Sequence, residues 1–129
     1  MRAEELKGHL DAVLLAALED GPRHGYAVIE SLRQNTGGRL DLPTGTIYPA
    51  LRRLEQAGLI AGTWSVVGGR RRREYRLTPA GIRALSGRRA AWRDFSATVT
   101  AALESATRVN TALENAAMED TACPSPNPA

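Results

Sequence analysis

Apolar positions recur with the period of an α-helix through the first half of the chain. Leu6, Leu10, Val13, Leu14, Ala17 and Leu18 trace one helical face and predict a first helix from Leu6 to Leu18, ended by Gly21-Pro22. Tyr26, Val28, Ile29 and Leu32 predict a second helix from Gly25 to about Gln34, stopped by Gly37-Gly38. Ile47, Leu51 and Leu54 predict a third over Thr44–Ala57, with Gly58 as its C-terminal stop. That helix starts within residues 44–46. Thr46 as N-cap puts Pro49 at the third helical position, whereas Thr44 as N-cap costs one hydrogen bond. Between the second and third helices, Leu40-Asp41-Leu42 alternates and suits one brief extended piece.

The period then changes. From Ile60 to Leu77 the apolar residues are those that favour strands: Thr63, Trp64, Val66, Val67, Tyr75 and Leu77. Gly68-Gly69 and Arg70-Arg71-Arg72-Arg73 stand in the middle, so two short strands around a basic turn form a hairpin. Trp64, in a strand next to the third helix, is expected in the core. Thr78-Pro79 is a good helix start. The helical period resumes there, with Leu85, Trp92, Val99, Ala106 and Leu113 spaced by sevens. Phe95, Ala102 and Val109 follow three of these by three residues, and Leu103 lies alongside. This is a heptad seam, weakened by Arg88 at one seam position and by Ser86-Gly87 nearby. The last stretch, EDTACPSPNPA, reads as a disordered tail. The expected division is therefore 1–78, 79–117 and 118–129.

Charge narrows the function. The chain of 129 residues is 43% hydrophobic, enough for one domain with a modest core. Residues 1–108 carry all 17 basic groups and 11 of the 14 acids, which leaves a basic body and an acidic end. A polyanionic partner fits that balance. A single cysteine, Cys123, excludes an internal disulfide. MRAEELKGHLD lacks the apolar run of a signal peptide, and no window is apolar enough to span a bilayer, so a cytoplasmic protein without membrane partners is expected. His9, His24 and Cys123 show no metal-ligand spacing, and no cofactor fingerprint appears. The acids and the two histidines form no acid/base or nucleophile arrangement, so an enzyme is not expected.

Three short helices, a basic hairpin and a long helix follow the order of a winged helix-turn-helix. The fold class is mainly α with a small β-hairpin wing and a long C-terminal dimerisation helix. In that architecture the third helix enters the DNA major groove and the wing grips the backbone. The outward face of the third helix carries Thr46, Tyr48, Arg52 and Arg53. Arginine can donate a bidentate pair to guanine, and the N-terminus of a helix favours phosphate. Arg52 and Arg53 point ~100° apart, so only one of them reaches bases. Thr46 divides evenly between a DNA contact and a cap. Arg70, Arg71, Arg72 and Arg73 repel one another until a phosphate backbone neutralises them. A winged helix kept for protein contacts alone would have no use for such a wing. His24 and Tyr26 read as turn and packing residues.

These segments also resemble a known family. His24-Gly25-Tyr26, Pro43-Thr44-Gly45-Thr46-Ile47-Tyr48-Pro49-Ala50-Leu51, Arg53-Leu54-Glu55-Gln56-Ala57-Gly58-Leu59-Ile60 and Tyr75-Arg76-Leu77-Thr78 are similar in order and spacing to the PadR family of bacterial transcriptional regulators. The resemblance runs from about Leu10 to Leu85. The family often has Ser-Pro where Pro43-Thr44 stands here. Its wing commonly reads Gly-Arg-Pro-Arg-Lys, where this chain has Arg71 in place of the proline. That departure keeps the charge and changes the stiffness of the wing. The resemblance implies a homodimeric regulator, usually a repressor, on a near-palindromic operator.

It also implies that the last helix makes the dimer, and length supports this independently. About 30 helical residues span ~45 Å, whereas a body of roughly 75 residues is about 30 Å across. The overhanging seam of Leu85, Trp92, Phe95, Val99, Ala102, Leu103 and Ala106 then needs a second copy. Trp92 is open to two readings: packing in the seam, or, with Ser96, the wall of a pocket for a small planar aromatic effector. In some multidrug-sensing members of the family a tryptophan in this helix region flanks a cavity at the dimer centre. No cofactor is expected; the expected partners are double-stranded DNA, a second copy and that effector.

Overall fold

The structure is a computed structural model; it describes Leu6 and residues 8–122, with side chains as far as Ser105. The elements in chain order are α1 (Leu10–Ala17), β1 (Arg23–His24), α2 (Gly25–Asn35), α3 (Thr44–Gln56), β2 (Ile60–Val67), β3 (Arg70–Leu77) and α4 (Pro79–Ala122). The strands form one antiparallel sheet in the order β1-β3-β2. The chain divides into two units after Arg89, so α4 begins in one and continues in the other.

In the first unit, α1, α2 and α3 close over a core whose fully buried members include Leu14, Leu15, Leu18, Val28, Ile47, Leu51, Leu54 and Ile60. These are the helical-face positions of the sequence. The core therefore fixes which side of α3 points outward. Helix α1 begins at Leu10, later than the Leu6 expected from periodicity. Leu6 is nonetheless buried in the same core.

Helix α3 starts at Thr44, within the expected range, and its N-cap is Pro43, one residue before Thr44 and three before Thr46. Pro43 is extended (ψ 156°), and its carbonyl accepts from Thr46 N at 3.0 Å and Ile47 N at 3.1 Å. Pro49 is then the sixth helical residue, and its missing N–H leaves the Gly45 carbonyl without an i+4 donor. The far end closes at Gly58, where φ is +77° and Leu59 N donates to Leu54 O at 3.0 Å.

The hairpin turns at Gly68-Gly69, both with positive φ, as a two-residue turn between right-twisted strands requires. Its register pairs Ile60 with Leu77, Gly62 with Tyr75, Trp64 with Arg73 and Val66 with Arg71. Leu40 and Leu42 are buried and Asp41 is exposed, so that segment alternates as expected but pairs with no strand. The third strand is Arg23–His24, too short to leave a period in the sequence.

Helix α4 opens at the expected N-cap: the Thr78 hydroxyl accepts from Gly81 N at 3.0 Å and donates to Gly58 O at 2.7 Å. A Cβ on Gly81 would lie 1.9 Å from Leu59 O, so only glycine lets α4 approach the backbone just before β2 this closely. Arg89 forks onto Glu19 at 2.6 and 2.8 Å, which ties the start of α4 to the end of α1. Leu85, expected on the dimer seam, lies in the core of its own chain at 3% exposure, so its apolar surface is already covered. The helix reaches Ala122, beyond the expected start of the tail at residue 118. Cys123 and the rest of that tail lie outside the described residues.

Candidate nucleic-acid interface

With Ile47, Ala50, Leu51 and Leu54 turned into the core, α3 presents Tyr48, Pro49, Arg52 and Arg53 outward, with Thr46 half-buried. Tyr48 leans on the start of α2. A Cβ on Gly25 would meet its ring at 2.5 Å, so the glycine of His24-Gly25-Tyr26 is the seat of that ring. The same segment supplies the α2 cap, since His24 Nδ1 accepts from Ala27 N at 3.0 Å. Tyr26 meets Tyr48 edge to face, with centroids 6.5 Å apart. Burial, and next to it the neighbouring Tyr26 and Tyr75, push the Tyr48 hydroxyl above its ordinary pKa.

The two adjacent arginines of α3 separate. Arg53 pairs with Asp11 of α1 at 2.7 Å. Arg52 instead lines a groove of about 700 Å³ whose walls include Tyr26, Tyr48, Trp64, Arg71 and Arg73.

Trp64 is not a core residue. It is 59% exposed, with the Arg71 guanidinium 4.7 Å and that of Arg73 5.3 Å from its ring centroid. The register explains this. Ile60, Gly62, Trp64 and Val66 share one face of β2, but only the end near Ile60 reaches the core. Farther out, the face meets arginines instead of leucines. Arg70 and Arg72 lie on the other face of the hairpin, opposite Val67 and Ser65. Arg73 forks onto Glu55 of α3: its Nε donates to Oε1 at 3.4 Å and its Nη2 to Oε2. The carboxylate holds the Arg73 guanidinium charged, raising its pKa above the usual arginine value. Gly25, Glu55, Gly62 and Trp64 are thus the residues of this face that sequence reasoning missed. The motif Arg-Leu-Glu was visible, but its pairing to a residue 18 positions away was not.

On the second unit, α4 exposes Trp92 (51%), Phe95, Val99, Ala102 and Leu103 (72%). Trp92 and Phe95 rings lie 6.0 Å apart. A shallow depression on this helix takes in Ser96 with Ala97, Thr100 and Ala101, and Trp92 is not among its walls. The side chain of Ala106 lies outside those described. Among the described residues no His, Cys, Asp and Glu cluster could hold a metal ion, and no helix is long and apolar enough to cross a membrane.

Comparison with known proteins places this arrangement. Residues 14–87 match the transcriptional regulator PadR-like family. The chain is 45% identical over 64 residues to the transcriptional regulator Rv3488 of Mycobacterium tuberculosis, a match over 50% of this chain and 47% of that protein, so it spans about half the length of that relative. The crystal structure of a PadR family transcriptional regulator from Eggerthella lenta superposes with a TM-score of 0.70 at 35% identity, over 78% of this chain and 87% of the other. The structure of a transcriptional regulator from Clostridium thermocellum gives 0.71 at 26% identity, over 76% of this chain and 96% of the other.

Proposed function

The chain belongs to the PadR-like family of DNA-binding, non-enzymatic transcriptional regulators, and from that premise we propose that it is a cytoplasmic homodimeric repressor of a near-palindromic operator. The observation that carries this reading is the shared groove of α3 and the hairpin, where Tyr48, Arg52 and Arg71 converge. Helix α3 enters the major groove. Arg52 reads a base edge, while Tyr48 and the α3 N-terminus, with Thr46, hold phosphate. Arg53, already paired with Asp11, adds charge at the margin. The wing arginines Arg70, Arg71 and Arg72 meet the backbone, a sequence-independent contribution.

The second copy packs on Trp92, Phe95, Val99, Ala102 and Leu103, with Ala106 continuing the stripe. Large apolar side chains at this spacing and exposure on one helix favour such a partner. Two symmetry-related Trp92 indoles, with Ser96 nearby, would frame a slot for a planar aromatic effector. Its entry would splay the helices and spoil the spacing of the two recognition helices, which must match one DNA turn, ~34 Å.

Selection of bound fragments from the source genome, followed by gel shift, tests the operator. The expected result is a palindromic site retarded by a dimer; retention of random and selected DNA with equal affinity would refute sequence-specific repression. For the effector, titration with phenolic acids and cationic dyes is expected to quench Trp92 and release the operator together. A panel in which no compound does both removes the sensing role and leaves the repressor.

A further inference from the structure

Arg73 is engaged inside the chain on three sides. Its guanidinium forks onto Glu55 of α3. The indole of Trp64 lies against it. The third side is a slot: a Cβ on Gly62 would stand 2.5 Å from Arg73 Nε and 2.9 Å from Cζ. Gly62 has no positive φ, so its backbone does not call for glycine; a side chain there would instead push the flexible end of Arg73 aside. A carboxylate, an aromatic face and a missing side chain, from α3 and β2, thus converge on one guanidinium. Among the described residues Arg71 meets no carboxylate, although it stacks on the same indole.

We infer that Arg73 is a strut between wing and α3 rather than a phosphate ligand, and that Glu55, Gly62 and Trp64 are positioning residues that set the angle of the wing. The inference rests on the reading that the wing meets DNA. It accounts for a wing that carries Arg71 where a proline would stiffen it: the stiffness comes from the Arg71–Trp64–Arg73 stack locked to α3 by Glu55. An arginine already neutralised within the chain releases no counterion on binding, so it adds nothing to the salt dependence. What it supplies is register. When α3 sits on its bases, a wing at a fixed angle meets the backbone at the same step, and random sequence gains less from that match.

The test is salt-dependent binding of the full chain to the selected operator and to a random duplex, with melting temperatures recorded for each variant. Arg71→Ser is expected to flatten the log–log salt slope by ~0.9 per wing. Arg73→Ser is expected to leave the slope unchanged and to lower the operator-to-random affinity ratio. Glu55→Gln and Gly62→Ala both free Arg73 to reach phosphate, so each is expected to steepen the slope by ~0.9 per wing, to raise affinity for random DNA severalfold and to lower the ratio. Gly62→Ala alters no charge, which separates release of Arg73 from loss of the Glu55 carboxylate. Flattening by Arg73→Ser as large as that by Arg71→Ser overturns the inference while leaving the wing on DNA. Wild-type slope and ratio in Gly62→Ala overturn it also. So does a Glu55→Gln that lowers melting temperature and both affinities with no change of slope, the signature of a merely structural pair. An unchanged slope in Arg71→Ser removes the wing from the interface, and the strut with it.

Discussion

Leu85 and Trp92 stand seven residues apart on α4 and share one heptad position, yet Leu85 is 3% exposed and Trp92 51%. Leu85 is covered by its own chain, in the core that also holds Leu18 and Ile60. Trp92 belongs to the stretch beyond Arg89, where Phe95, Val99 and Leu103 of the apolar stripe are exposed as well. Periodicity reports which face of a helix is apolar. It does not report whether the cover comes from the same chain or from another, because both burials reward the same spacing.

Substitution at the two positions is the strongest way to break that contrast. Leu85→Ala is expected to lower the folding stability of the chain by about 2–5 kcal/mol, read by chemical denaturation. Trp92→Ala is expected to weaken self-association by about 2 kcal/mol or more while leaving the cooperative unfolding of the first unit intact, read by sedimentation against concentration. Equal effects of the two on folding would erase the distinction between an internal and an external cover.

A smaller effect separates Arg52 from Arg53. Arg52→Ala and Tyr48→Ala are expected to cost about 1–3 kcal/mol each on the operator and less on random DNA. Arg53→Ala, which breaks only the partly exposed pair with Asp11, is expected to cost about 0–1 kcal/mol, the same on both DNAs. Equal losses from Arg52 and Arg53 would mean that the Asp11 pair opens on binding.

The smallest effect concerns the Glu19–Arg89 fork, which lies within the first unit. Hydrogen bonding to Arg89 lowers the Glu19 pKa below the ordinary carboxylate value. The stability this contributes is therefore fully present above the unfolded pKa and is lost as pH falls through the lower folded one. Glu19→Gln is expected to change the melting temperature slightly at neutral pH and not at all in strong acid. A variant whose deficit grows on acidification would contradict that sign.

Most of this face was legible because its determinants are local. The outward side of α3 follows from Ile47, Leu51 and Leu54. The hairpin turn follows from Gly68-Gly69, and the start of α4 from Thr78-Pro79. What stayed hidden depends on tertiary reach. Trp64 has the residue type of a core strand, but the hairpin carries it past the edge of the core. Leu40 and Leu42 alternate like a strand with no neighbour to pair with, while Arg23–His24 pairs with no pattern to announce it. Glu55 and Gly62 reveal their use only once Arg73 lies between them.

The central claim, that one face built from α3 and the wing reads DNA as a pair of copies, is tested most directly by hydroxyl-radical footprinting of the selected operator at saturating protein. Two protected half-sites centred about one helical turn, ~34 Å, apart are expected, with two chains bound per site and both protections lost together on dilution. A single protected half-site occupied by one chain, or protection that persists in a Tyr48→Ala/Arg52→Ala variant, would contradict it.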